Sequence, residues 1–266
     1  METQVKLDIA SLSDTGQVRT GNEDAIALAP GLGVAILADG MGGYNAGEVA
    51  SGMACALLKN ELETALPANL QTGVDHHLLQ EAIGRTNEAI VQLANSQAQY
   101  AGMGTTLVLA LFHGQQVTVA HVGDSRLYLL RAKQLRQVTS DHSVLQAQID
   151  AGILTKEQAR LSQNKNLVTR ALGVEATVQA EIHTYPTEPG DLYLLCSDGL
   201  SDMVDDSDIE TLLNNYGHQL PLCADQLIAA ANQNGGRDNI TAILLKVVAH
   251  TPVSRNPVAR LLKWLK

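Results

Sequence analysis

The stretch TTLVLALFHGQQVTVAHVGDSR, residues 105–126, decides the fold class. Thr105 to Phe112 and Gln116 to Val122 are apolar runs of strand length, joined by a tight His113-Gly114 turn. Strands joined by so short a turn pair antiparallel, because a parallel pair needs a crossover of a dozen residues or more. The second run stops at Gly123-Asp124, and Leu127 to Leu130 begins another hairpin.

Upstream, Gly33 to Ala38 is a further short apolar run, ending in Asp39-Gly40. Asn45 to Leu66 reads as a helix, with Val49, Met53, Leu57 and Leu58 at helical spacing and Pro67 just beyond. Asp75 to Ala98 is a second helix, with Leu79, Ile83, Ile90 and Leu93 on one side. Downstream, Val178 to Tyr185 and Leu192 to Cys196 read as strands. Pro221 to Asn234 is a helix closed by Gly235-Gly236, and Ile240 to Val248 is a last strand. Antiparallel sheets with helices inserted in pairs give an α+β layering. Ser143 to Lys165 is polar, with only Ile149, Ile153, Leu154 and Leu161 to anchor it, and reads as a flap. Asp205-Asp206-Ser207-Asp208 lacks the glycine and terminal glutamate of a calcium loop and is read as a helix start. The expected organisation is one domain over residues 1–250, with a flap at about 143–168, and a short basic tail over residues 251–266.

Composition narrows the function. The 266 residues are 45% hydrophobic, enough for a sizeable core. A formal charge of -10 argues against nucleic acid as a partner, and one Phe with one Trp leaves little for base stacking. Cys55, Cys196 and Cys223 are far apart, so a disulfide framework is not expected. With no apolar signal region and no spanning run, a soluble cytoplasmic protein is the expectation.

The chemistry lies in carboxylates at strand ends or in glycine turns: Asp24, Asp39, Asp124, Asp198 and Asp238. Apolar strands stop abruptly at Asp39 and Asp198, which places those acids at the rim of a core. Converging carboxylates repel unless cations neutralise them, and an all-oxygen set suits Mg²⁺ or Mn²⁺. Any one Asp-Gly taken alone is more simply a β-turn.

Six segments carry a family resemblance: Arg19-x-x-Asn22-Glu23-Asp24, Asp39-Gly40-Met41-Gly42-Gly43, Gly104-Thr105-Thr106, Gly123-Asp124-Ser125-Arg126, Ser197-Asp198-Gly199-Leu200 and Gly236-Arg237-Asp238-Asn239. In this order they resemble the signature set of the protein phosphatase 2C family, in its compact bacterial branch. The resemblance implies two packed antiparallel β-sheets flanked by helices on both outer faces, α-β-β-α layers, with metals in a cleft between the sheets. It implies that Asp39 bridges two ions, with the Gly40 carbonyl on the first and Asp198 and Asp238 on the second. Glu23 and Asp24 would support the cluster through coordinated waters. Asp124 would hold a third, weaker ion, with Asp202 a candidate helper whose alternative is a loop acid or cap. Arg19 would receive the substrate phosphate, its planar guanidinium gripping two oxygens.

The implied reaction is hydrolysis of phosphoserine and phosphothreonine in proteins, opposing a bacterial Ser/Thr kinase. Water bridged between two divalent ions loses a proton near neutral pH and attacks phosphorus in line. No Cys-x5-Arg loop suggests a thiol phosphatase. One departure stands out: Met41 occupies the place where many family members carry a histidine that protonates the leaving group. The general acid is therefore unassigned, and His121 and His142 read as packing or surface residues. Two other classes compete. A non-catalytic regulator is disfavoured by intact Arg19, Asp39, Asp198 and Asp238. A two-metal phosphodiesterase or nuclease is disfavoured by the acidic charge and the motif order. In the tail, Val258, Leu261, Leu262 and Leu265 share a helical face. The alternatives are a weak membrane or partner contact, or packing or fraying of a short segment, which its length favours. Nothing demands more than a monomer.

Overall fold

The computed structural model describes residues 3–42, 46–66, 73–155, 158–159, 162 and 167–252. The basic tail beyond 252 and Gly43 lie outside the described residues, as does part of the segment expected to be a flap. Two antiparallel sheets face each other. One runs β1 (Thr3–Asp14), β11 (Ile240–Pro252), β10 (Leu192–Cys196), β7 (Arg126–Arg131), β8 (Gln134–Gln137). The other runs β2 (Asp24–Ala29), β3 (Val34–Met41), β5 (Leu107–His113), β6 (Gln116–Val122), β9 (Glu181–Pro186), with the two-residue β4 (Gly104–Thr105) beside the end of β3. Helices α1 (Ala46–Ala65) and α2 (His76–Ser96) cover the outer face of the second sheet. Helices α5 (Asp206–Tyr216) and α6 (Leu220–Gln233) cover that of the first. Between them, α3 (Val144–Asp150) lies in the segment expected to be a flap, and α4 (Asp198–Ser201) follows β10. The α-β-β-α layering implied by the motifs is what the chain forms.

Strand alternation builds three cores at once. On β3, Val34, Ile36 and Ala38 face the helices, while Ala35 and Leu37 face the other sheet. On β10, Leu192, Leu194 and Cys196 face α5 and α6, while Tyr193 and Leu195 point inward. Phe112 and Tyr193 meet edge to face across the inner layer, ring centroids 5.2 Å apart. Strands buried on both faces read as continuous apolar runs, which is why β5, β6 and β10 stood out in the sequence.

The differences lie at boundaries and edges. β1 is a twelve-residue strand, paired with β11 from Thr3↔Pro252 to Asp14↔Ile240, where no strand was expected. β2 was also unforeseen, and β9 starts at Glu181, three residues later than the expected Val178. His113 belongs to β5 and pairs with Gln116, so the turn between β5 and β6 is Gly114-Gln115. The β7–β8 turn is Ala132-Lys133, both with positive φ (50° and 67°), as a two-residue hairpin loop requires. Helix α5 begins at Asp206 within the acidic run, as that run suggested.

Candidate metal centre

Alternation carries the acids to one place. Ile26 and Leu28 of β2 and Ala35 and Leu37 of β3 face the inner layer, so Asp24 and Asp39, at matching parity, face it too. The two acids are directly paired across the strands, at the start of β2 and near the end of β3. Asp124 follows β6 at that same end. Asp198 opens α4 after β10, and Asp238 precedes β11. The structure therefore brings together all five acids singled out in the sequence.

Their electrostatics measure the crowding. Burial first, then the charges of Asp24, Asp198, Asp124 and Asp238, hold the Asp39 carboxyl well above the usual carboxylate range. Asp198 is raised likewise, by burial and then by Asp124, Asp202, Asp238 and Asp24. Asp24 is pushed up to about 6 by burial, against hydrogen bonds that favour its charge. Asp124 reaches about 6 through burial and the Asp141 charge. Asp202 acts on both Asp124 and Asp198, so it stands beside them.

Backbone and hydroxyl groups hold the acids in place. Ser197 Oγ donates to Asp24 Oδ2 at 2.7 Å, and the Asp24 amide donates to Asn22 Oδ1 at 3.0 Å. The Asp39 amide donates to Thr106 Oγ1 at 3.0 Å, and the Asp39 carbonyl accepts from Thr105 Oγ1 at 2.8 Å. Gly40 donates its N–H to the Glu23 carbonyl at 3.1 Å. A side chain at Gly40 would run into the backbone of Gly47 and Glu23, so the close approach of α1 requires glycine there. Asn239 Oδ1 accepts from the Glu23 amide at 2.8 Å, while its Nδ2 donates to the carbonyls of Thr15 and Gly21. Ser197, Thr106 and Asn239 had no role in the sequence reading, although each lies inside a quoted motif.

Arg19 lies at the rim, half exposed, with Nη2 2.8 Å from Asp238 Oδ2. Burial alone would lower its pKa, but Asp238, Glu23 and Asp198 together outweigh that and raise it, so the guanidinium stays charged beside the cleft. Glu23 is raised by burial, eased by Arg19.

Among the described residues, buried Asp24 Oδ1 has no hydrogen-bond partner, and four further carboxylates act on one another beside it. Orphaned oxygen and uncompensated negative charge are what hard divalent cations satisfy, so the residues fit Mn²⁺ or Mg²⁺. A second donor group, His121, His142 and Glu181, has three ligand-capable atoms within 4.8 Å of one another. Its two rings are stacked, 4.7 Å between centroids and 19° between planes, so their in-plane lone pairs lie in separate, near-parallel planes. His142 Nδ1 accepts from the Gly123 amide at 3.1 Å, and that ring nitrogen is not free to protonate a leaving group.

Carboxylates gathered between two antiparallel sheets, with an arginine at the rim, form an all-oxygen donor set of the kind that suits divalent cations. The protein phosphatase 2C family profile matches residues 16–244, and the chain belongs to that family. It is 40% identical over 237 residues to the serine/threonine phosphatase Stp of Listeria welshimeri, spanning 88% of this chain and 93% of the relative. The serine/threonine phosphatase Stp1 of Staphylococcus aureus superposes with a TM-score of 0.84 at 35% identity, over 94% of this chain and 98% of the other. The catalytic domain of the phosphatase PstP, solved with two manganese ions, gives 0.81 at 38% identity, over 91% of this chain and 99% of the other. Among the described residues, no helix is long and apolar enough to cross a membrane.

Proposed function

We propose that this chain hydrolyses phosphoserine and phosphothreonine in cytoplasmic phosphoproteins as the counterpart of a Ser/Thr kinase. The observation that carries the reading is the convergence of five mutually repelling carboxylates on one cleft, with the Asp24 Oδ1 oxygen left orphaned. Asp39, with the Gly40 carbonyl, Asp198, Asp238 and Asp24 would hold two Mn²⁺ or Mg²⁺ ions, and Asp124 with Asp202 a third. Bound there, divalent cations supply the positive charge that acidifies water and neutralises phosphoryl oxygens.

The chain's own groups do the rest. Arg19 keeps N–H donors beyond the one given to Asp238, and they meet the phosphate at the rim. Thr105 and Thr106 fix the Asp39 backbone, and Ser197 fixes Asp24, so the acids are set before ligands arrive. Residues 1–250 form the phosphatase domain, and the segment from about 143 to 168 is a flap. Its root is closed by the Ser143–Val168 bridge and by the Thr169 amide donating to the His142 carbonyl at 2.7 Å. The domain acts as a monomer.

The test is manganese-dependent turnover of a phosphothreonine peptide by the full chain, with chelator and Asp39→Asn controls. The expected result is loss of activity in both controls, by about a hundredfold or more for the variant. Turnover that survived chelator and Asp39→Asn alike would reject the reading.

A further inference from the structure

The histidine pair beside Asp124 is a cluster of titratable groups that the proposed reaction leaves unused. His121 is the penultimate residue of β6, and His142 stands at the root of the flap. Glu181 begins β9, and Arg170 lies on the chain returning from the flap. Their contacts converge on one backbone turn. The His142 N–H donates to the Gly123 carbonyl at 2.9 Å, and the Gly123 N–H donates back to His142 Nδ1 at 3.1 Å. One residue thus satisfies both backbone groups of Gly123.

We propose that His142 is a positioning residue that clamps the Gly123-Asp124 turn to the flap root, acting as a neutral imidazole with its proton on Nε2. The tautomer follows from the contacts. Nδ1 accepts an amide proton, so it carries none, and Nε2 then holds the ring's proton. Glu181 Oε2, an acceptor, lies 3.6 Å from Nε2 and suits its proton, while the Arg170 Nη1 donor, 3.4 Å from the same nitrogen, finds no lone pair there in this tautomer. His121 uses its own Nε2–H on the Ser140 carbonyl at 2.8 Å and stacks its ring on His142, which fixes the plane of the clamp. Burial, together with His121 and Arg170, keeps His142 uncharged near neutral pH, with its pKa lowered to about 4.

The clamp has a reason to exist. Gly123 has φ +104°, and a Cβ there would press against the Thr106 side chain. Thr106 Oγ1 in turn accepts from the Asp39 amide and shares a hydrogen bond with Ser125 Oγ at 2.7 Å. Gly123 is therefore wedged between His142 and the Thr106 side chain whose hydroxyl fixes Asp39. On the other side, the His142 carbonyl accepts from the Thr169 amide. A displacement at the flap root is thereby passed to the Asp124 turn through backbone hydrogen bonds. The catalytic consequence rests on the metal reading above. The clamp itself does not.

Two measurements on the full chain test it. First, the ¹⁵N shifts of the His142 ring should show an unprotonated Nδ1 and a protonated Nε2; a protonated Nδ1 overturns the proposal. Second, amide exchange at Gly123 is compared in His142→Asn, whose short amide keeps an acceptor where Nδ1 stood, and in His142→Gln, whose longer amide reaches the Nε2 position instead. Protection of the Gly123 amide should fall about tenfold in His142→Gln and by less than about threefold in His142→Asn. Equal loss in both variants, or none in either, refutes the clamp. In turnover, His142→Gln should raise the manganese concentration for half-activation more than it changes KM, and adding Asp124→Asn should cancel that difference. Exchange needs neither metal nor substrate, so it can succeed even if the phosphatase reading fails.

Discussion

Removing divalent ions from this protein should make it less stable at neutral pH than in mild acid. Asp24 and Asp124 each sit at about 6, against 3.8 for the ordinary group. A carboxyl whose folded pKa is raised binds its proton more tightly in the folded state. Its contribution is fully present below the unfolded value and is lost as pH rises through the folded one. The window therefore runs from about 4 to about 6. A shift of about 2 units at about 1.4 kcal/mol each corresponds to about 3 kcal/mol for either acid. The two belong to one interacting cluster, so the combined loss is less than twice that. Asp39 and Asp198 shift in the same direction and reinforce the sign. Against a total stability of about 5–15 kcal/mol, such a loss is large.

The assay is urea unfolding of chelator-treated protein at about pH 5 and about pH 7.5, repeated with excess Mn²⁺. The midpoint should fall between the two pH values without metal. With Mn²⁺ the fall should shrink or reverse, since the ion binds only the ionised acids. Asp24→Asn cannot titrate and should flatten the metal-free profile. A metal-free protein that gained stability between about pH 5 and about pH 7.5 would refute the reasoning. So would an Mn²⁺ effect no larger at the higher pH.

Three further changes test the scaffold. Asp191 is buried and accepts from Arg131 Nε at 2.7 Å, from the Glu188 amide at 2.7 Å and from Tyr193 Oη at 3.3 Å, so Asp191→Ala should cost about 3 kcal/mol in urea unfolding. Gly199→Ala drives a methyl into the Asn239 carbonyl beside Asp238 and should cost about 1–3 kcal/mol by the same assay, with weaker Mn²⁺ binding by calorimetry. Lys133→Gly relieves a left-handed residue in the β7–β8 turn and should raise the thermal midpoint, by about 0.5 kcal/mol of stability or more.

The acids were legible because each interrupts an apolar run or sits in a glycine turn, a contrast visible at single-residue resolution. Asp39 after Val34-Ala-Ile-Leu-Ala38 is the plainest case, and β5, β6 and β10, buried on both faces, are comparably plain. The helices α1 and α2 carried their spacing openly. By contrast β2, Asp24-Ala-Ile-Ala-Leu-Ala29, is short and half alanine, so it gives little period to read. The roles of Ser197, Thr106 and Asn239 depend on partners 173, 67 and 216 residues away, and no local pattern encodes them.

The missed strand β1 shows why the site could be recognised without being derivable. Val5, Leu7 and Ile9 alternate with Lys6 and Asp8, a period of two, but the strand is an edge and those inward residues are only partly buried. Its pairing with β11 fixes where the chain leaves the first sheet, at Asp14 opposite Ile240. From there residues 15–23 cross to β2 in the second sheet, and Arg19 rides on that crossing. The Gly16 amide donates to Asp14 Oδ1, the Gln17 amide to the Gly236 carbonyl, and Asn239 Nδ2 to Thr15 and Gly21. Arg19 is thus positioned from the turn that presents Asp238, more than two hundred residues later in the chain. Its reach toward the cleft is a property of how the two sheets are joined, and only the paired ends of β1 and β11 could reveal it.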